Sequence, residues 1–243
     1  MALSWDQAVA KLVVALDTAD ASQVHGLVRT LTGRVGCFKV GLEAFTSLGP
    51  TIVEQLVAQG ARVFLDLKLH DIPHTVERAA AACARLGVFM FNVHVAGGRQ
   101  MLAAARAGAE AGTPPGAFRP LVLGVTLLTS LDEHALRELE IPGPPASTVL
   151  RWARLAREAG LDGVVCSAQE LAPLRASLPR PFLLVTPGIR PAGSAPGDQK
   201  RTATPAAAVA AGADYLVVGR PITEAEDPAR AAEGVLREMM EGG

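Results

Sequence analysis

Aromatic residues make up only 4% of this 243-residue chain, while hydrophobic residues reach 49%. Any core it builds must therefore be aliphatic. A basic surplus is also lacking. The formal net charge is −1, which argues against a polyanionic partner, so no nucleic-acid binding is expected; a local phosphate site stays open. Cysteine is sparse: Cys37, Cys83 and Cys166 are odd in number, widely spaced and without a C-x-x-C motif. That pattern excludes a disulfide scaffold and fits a reducing compartment. No stretch approaches the ~18 apolar residues of a membrane span, so no membrane association is expected. The opening MALSWDQAVAK has no basic leader region and is broken by Asp6 and Lys11, so no signal peptide is expected and the chain is placed in the cytoplasm. Lysine is scarce as well. Of 23 basic residues only Lys11, Lys39, Lys68 and Lys200 are lysines. Arginine and lysine differ in shape and in how readily they release a proton, so lysines retained at apolar strand ends, as Lys39 and Lys68 are, stand out.

What is present is a rhythm. Short apolar runs recur as LVVAL (12–16), CFKVG (37–41), VFLDL (63–67), FMFNVHV (89–95), LVLGVT (121–126), GVVCS (163–167), FLLVT (182–186) and YLVVG (215–219). Helical stretches rich in Ala, Leu and Arg lie between them. LEAFTSLGPTIVEQLVAQG, HTVERAAAACARLG and STVLRWARLAREAG each end at glycine, a common helix terminus. Near-continuous apolar strands alternating with helices indicate a parallel sheet covered on both faces. Eight such units, in a length close to the ~250 residues of a typical barrel, predict one α/β domain over residues 1–243, a closed (β/α)₈ TIM barrel. No G-x-G-x-x-G follows the first strand, which weakens a dinucleotide-binding alternative. Two connections are long, 130–146 after the fifth strand and the Gly/Pro-rich 187–204 after the seventh; long loops in compact domains often act as lids. The amphipathic 225–241 stretch reads as the last barrel helix.

Barrel enzymes carry their sites at the C-terminal ends of the strands, and polar residues collect there. Asp17 follows strand one, Lys39 lies in strand two, Asp66 and Lys68 end strand three, and Thr126 and Thr129 follow strand five. Arg190 and Gln199 follow strand seven, and Gly219 and Arg220 follow strand eight. The strongest signal is DLKLHDIPHT, residues 66–75. Period two along a strand puts Asp66 and Lys68 on one face. Asp71 follows in the turn, and Pro73 suits the first turn of a helix. Flanking carboxylates would hold Lys68 protonated. The plainer alternative makes Asp71 a helix cap and Asp66–Lys68 a buried ion pair. Two acids and two lysines at adjacent strand ends favour function, because unpaired buried charge is costly.

Gly219 offers an unobstructed backbone N–H and Arg220 a bidentate donor, and the loops after strands seven and eight often hold phosphate. With Arg190, Gln199 and the Gly-rich loop alongside, they predict a phosphate site rather than a mere strand–turn–helix junction. His70 and His74 have zinc-like spacing, but Pro73 lies between them and His70 precedes the helix, so no metal site is expected. Cys166 has no evident partner base and reads as a small buried hydrophobe. His94 ends strand four, as a structural hydrogen-bonding residue or as part of the site.

DLKLHDIPHT closely resembles the D-x-K-x-x-D-I-P-x-T signature of the orotidine 5′-phosphate decarboxylase family. Further matching segments are VALDTAD, FKVGLEAF, NVHVAGG, VTLLTS, VTPGIRPAGSAPGDQKR and DYLVVGRPIT, in order across nearly the whole chain. His74, where Asn is common, and Val95, where Ala is common, depart from the pattern at no catalytic position. The resemblance implies decarboxylation of orotidine 5′-phosphate to uridine 5′-phosphate, the last step of de novo UMP biosynthesis, without cofactor or metal. It implies that Lys68 protonates C6, that Asp66 and Asp71 flank it, and that Lys39 completes the charged array. It also implies a homodimer in which Asp71, Ile72 and Thr75 act across the interface. Asp17 and Lys39 resemble ribose ligands, and Thr129, chosen over Thr126 by alignment of VTLLTS, resembles the pyrimidine contact. Gln199 resembles a lid residue bridging base and phosphate, Arg190, Gly219 and Arg220 the phosphate contacts, and Pro187 a wall near the leaving carboxylate. Two other readings share parts of this pattern. Sugar-phosphate enzymes on the same scaffold share D-x-K-x-x-D but use Mg²⁺ and carry an acid in place of Lys39. A non-catalytic phosphate-binding barrel would have been free to lose Lys68.

Overall fold

The chain was analysed as a computed structural model, which describes residues 3–193 and 202–243. Its strands are β1 (Leu12–Ala15), β2 (Cys37–Gly41), β3 (Val63–Leu69), β4 (Met90–His94), β5 (Leu121–Val125), β6 (Gly163–Val165), β7 (Leu183–Thr186) and β8 (Tyr215–Val218). They pair in parallel in sequence order, and β8 closes on β1. The expected (β/α)₈ barrel is therefore present. Strand side chains alternate between two environments. Val13, Ala15, Cys37, Phe64, Met90, Leu123, Val185 and Val217 meet inside the barrel. Their neighbours, among them Val14, Val40, Leu65, Phe91, Val164, Leu184 and Leu216, pack outward against the helices. Only a few rings take part, as the composition required.

Two local departures matter. The stretch from Leu42 to Ala58 is not one helix. It divides into Leu42–Leu48 and Pro50–Ala58. Gly49 stands between them at φ +70°, a left-handed conformation that glycine tolerates, and Pro50 starts the second helix, where its missing N–H costs nothing. The last helix begins at Pro228 rather than at 225, because the Asp227 side chain accepts from the Arg230 N–H and caps it there. At the foot of the barrel, Asp162 and Asp214 sit just before β6 and β8. Each carboxylate accepts a neighbouring strand's N–H, from Val122 and Leu184 respectively, and two arginines pair with each. These ties hold the end of the barrel opposite the site.

Candidate active site

A cavity of about 600 Å³ opens at the C-terminal ends of the strands, a volume typical of small-molecule sites. Its floor is apolar, with Ala15, Phe64, Val125, Val165 and Val217. Of the residues singled out from sequence, Asp17, Lys39, Asp66, Lys68, Thr129, Pro187, Arg190, Gly219 and Arg220 all line it.

The charged residues form a chain of contacts. Asp17 Oδ1 accepts from Lys39 Nζ at 2.9 Å, and Lys39 Nζ lies 3.4 Å from Asp66 Oδ2. Lys68 Nζ donates to Asp66 Oδ1 at 2.7 Å. Lys39 and Asp66 are buried, at 9% and 8% exposure. Burial by itself would push the Lys39 ammonium down in pKa. The Asp66 and Asp17 carboxylates outweigh that and raise it. Burial likewise pushes Asp66 up, but the two ammoniums, with hydrogen bonds from Lys68 and Asn92, bring it below the usual carboxylate range. Lys39 and Asp66 are thus both held in their charged forms. Gly41, which ends β2, makes room for this: a Cβ there would lie 2.8 Å from Lys39 Nζ and 2.9 Å from Asp17 Oδ1.

Lys68 reaches Asp66 by a route that period two does not describe. Between β3 and β4, Leu65 pairs with Phe91 and the next pairing is Leu69 with Val93. Four residues of β3 advance against two of β4, so the strand bulges. Lys68 sits in the bulge at φ +52°, rare for a residue with a Cβ. Its backbone N–H donates instead to Asn92 Oδ1 at 2.8 Å, and Asn92 Nδ2 donates to Asp66 Oδ1 at 2.7 Å. The sequence reading passed over Asn92. The signal was available, since period two along β4 places Asn92 inward between Met90 and His94.

Asp71 stands apart from this array. It is exposed, and its carboxylate accepts from the Ile72 N–H at 2.7 Å rather than pairing with Lys68. Nor does it cap the helix Pro73–Arg85, whose cap position is Ile72, without a side-chain cap bond. Ile72 and Thr75 are also exposed, Ile72 at 66%. Within one chain these three residues lie outside the cavity. Thr126 turns away, donating to the Val165 carbonyl at 2.9 Å, while Thr129 faces the cavity. His94 does not line the cavity; its ring stands 5.4 Å from that of His70, and burial, His70 and Lys68 lower its pKa against Asp66.

Arg190 and Arg220, which follow β7 and β8, line the same cavity. Arg190 Nε is buried with no hydrogen-bond partner among the described residues. Burial and the Arg220 guanidinium depress its pKa, with Glu224 opposing. Two guanidiniums brought together, one with an unsatisfied donor, suit an oxyanion. Gln199 lies outside the described residues. Sequence reasoning also missed Thr18, Gln23 and Glu43 on the cavity rim, where the Thr18 hydroxyl donates to Gln23 Oε1 at 2.6 Å.

Fold and site together define a parallel α/β-barrel enzyme whose cavity holds an Asp–Lys–Asp–Lys array and a pair of guanidiniums. The particular family follows from comparison. A family model described as "Orotidine 5'-phosphate decarboxylase / HUMPS family" matches residues 10–235. A protein of Halorhodospira halophila named orotidine 5′-phosphate decarboxylase is 53% identical over 96% of this chain and 97% of its own length. One of the same name from Geobacter sulfurreducens is 49% identical over 99% and 100%. The crystal structure of orotidine 5′-phosphate decarboxylase from Lactobacillus acidophilus superposes with a TM-score of 0.85 at 41% identity, over 94% of this chain and 98% of that one. The chain belongs to the orotidine 5′-phosphate decarboxylase / HUMPS family.

Proposed function

We propose that this protein converts orotidine 5′-phosphate to uridine 5′-phosphate and carbon dioxide, the last step of UMP biosynthesis, and that residues 1–243 work as one barrel domain. The observation that carries the reading is Lys68 beside Asp66 in a cavity that Arg190 and Arg220 also line. A nucleoside 5′-phosphate has matching ends. The phosphate meets the guanidiniums and the backbone N–H of Gly219. Asp17 and Lys39 hold the ribose hydroxyls, Thr129 the pyrimidine edge, and Pro187 lies near the departing group.

The chemistry suits these groups. The bond from C6 to its carboxylate breaks, carbon dioxide leaves, and the electron pair stays on C6 in the ring plane, where no carbonyl delocalises it. The Lys68 ammonium stands where that charge develops and gives its proton to C6; water then restores the proton to Lys68. An ammonium held by an ion pair needs little reorganisation during the reaction, the form of electrostatic stabilisation that contributes most in enzyme sites. The phosphate lies far from the breaking bond and contributes binding energy that favours closure over the ring. The Mg²⁺-dependent reading on the same scaffold fits less well. Lys39 and Lys68 already neutralise Asp17 and Asp66, and a dication would have to displace them. The array also lacks a second acid at Lys68 within one chain. Asp71 supplies it from the partner of a homodimer, with Ile72 and Thr75 beside it. The exposure of Ile72 supports an apolar contact there. Incubation with orotidine 5′-phosphate, with product identified chromatographically, tests the activity: uridine 5′-phosphate is expected, and a chain that leaves the substrate untouched would exclude it.

A further inference from the structure

We infer that Asn92 is a positioning residue for the decarboxylation, clamping the bulge of β3 so that Lys68 and Asp66 meet in one geometry. The inference rests on the proposed activity. Asn92 is 1% exposed and does not line the cavity, so it acts only through other residues. Its amide makes two bonds. Nδ2 donates to Asp66 Oδ1 at 2.7 Å, the oxygen that also accepts from Lys68 Nζ at 2.7 Å. Oδ1 accepts from the Lys68 backbone N–H at 2.8 Å. Reversing the amide would set oxygen against oxygen and N–H against N–H, so the network fixes its orientation.

The second bond explains how a lysine can hold φ +52° at the end of a barrel strand. The bulge removes the Lys68 N–H from the β3–β4 ladder, and a buried N–H without a partner is unfavourable. Asn92 Oδ1 is that partner. One side chain thus binds both ends of the reactive unit, the backbone that aims Lys68 and the carboxylate that holds its ammonium. The groups around it are Asp66 and Lys68 of β3, with Lys39 of β2 beyond Asp66, and His94 on its own strand. Leu123, opposite it on β5, is apolar.

Two substitutions test this. Asn92→Ala removes both bonds. Asn92→Asp keeps the shape and the acceptor for Lys68 N–H, but sets a second carboxylate against Asp66. Only when protonated does the introduced acid restore the missing donor. We expect kcat to fall about 10²-fold in Asn92→Ala, the scale of a displaced reacting group, with little change in KM. In Asn92→Asp, kcat should recover as pH is lowered, moving the optimum to the acid side of the wild type. A packing role alone would not move the pH profile. Should either variant match the wild type in kcat and profile, or change only KM, the inference is overturned. A wild type without turnover would sink the proposed activity, and acetylation of Lys68 by acetic anhydride, normalised to Lys11, then decides the role of Asn92. Several-fold faster labelling in Asn92→Ala supports the clamp, and an unchanged ratio refutes it.

Discussion

Replacing Asp66 by asparagine should weaken the fold as well as the chemistry, and by an amount that depends on pH in a stated direction. Asp66 is the shared counter-ion of two ammoniums, at 2.7 Å from Lys68 Nζ and 3.4 Å from Lys39 Nζ. With an effective dielectric near 20, a unit pair about 3 Å apart is worth roughly 5 kcal/mol before desolvation is subtracted. Measured losses on breaking a buried pair are about 3–5 kcal/mol. Lys39 keeps its contact with Asp17, whose side chain is 54% exposed and therefore screened. A loss of about 3 kcal/mol follows, which at this chain length lowers Tm by about 6–12 °C. Asp66 has a depressed pKa in the folded state. Its contribution is therefore fully present above the unfolded value near 3.9 and fades as pH falls through the folded value. Below that point the wild type carries a neutral acid where the variant carries a neutral amide. Thermal melts from pH 7 to pH 3 should show a wide gap at neutral pH that narrows in acid. Equal melting temperatures at pH 7, or a gap that persists undiminished into acid, would refute the placement of Asp66 as the buried counter-ion.

Two further outcomes follow. Arg190→Ala should weaken binding of uridine 5′-phosphate about 10²-fold, measured by calorimetric titration, while leaving the weak binding of uridine unchanged; equal losses for both would remove Arg190 from the phosphate site. Mixing inactive Lys68→Ala chains with inactive Asp71→Ala chains should restore activity, because a hybrid dimer contains one site with neither substitution; no recovery on mixing would place Asp71 outside the partner's site.

Much of this architecture can be read from sequence, for physical reasons. Parallel strands buried on both faces must be continuously apolar, so every strand appears as a run of Val and Leu, and observed bounds differ from those runs by two residues or fewer. The site was legible for a similar reason. In an aliphatic barrel, charge at strand ends is conspicuous, and Asp17, Lys39, Asp66 and Lys68 do meet. The break at Gly49–Pro50 was signalled by the dipeptide itself and overridden by the helical pattern around it. The bulge at Lys68 was not legible, because it depends on a cross-strand partner. Alternation along DLKLH gave the right pairing for the wrong geometrical reason. Asn92 is less conspicuous because it lies one inward position deeper than the strand ends where the charges collect. Asp71 shows the limit of a single chain: its neighbours within the chain account for its hydrogen bond to Ile72, and its proposed role requires a second copy.

The central claim is that Lys68 delivers the proton in a reaction that needs no metal. The most direct measurement follows orotidine 5′-phosphate absorbance in EDTA-treated buffer, comparing the wild type with Lys68→Ala. General acid catalysis contributes about 10²–10⁴-fold, and Lys68 also stabilises the developing charge, so a loss of at least ~10³-fold in kcat is expected against rapid metal-free turnover by the wild type. Turnover by Lys68→Ala at the wild-type rate, or a wild type that works only when Mg²⁺ is supplied, would contradict it.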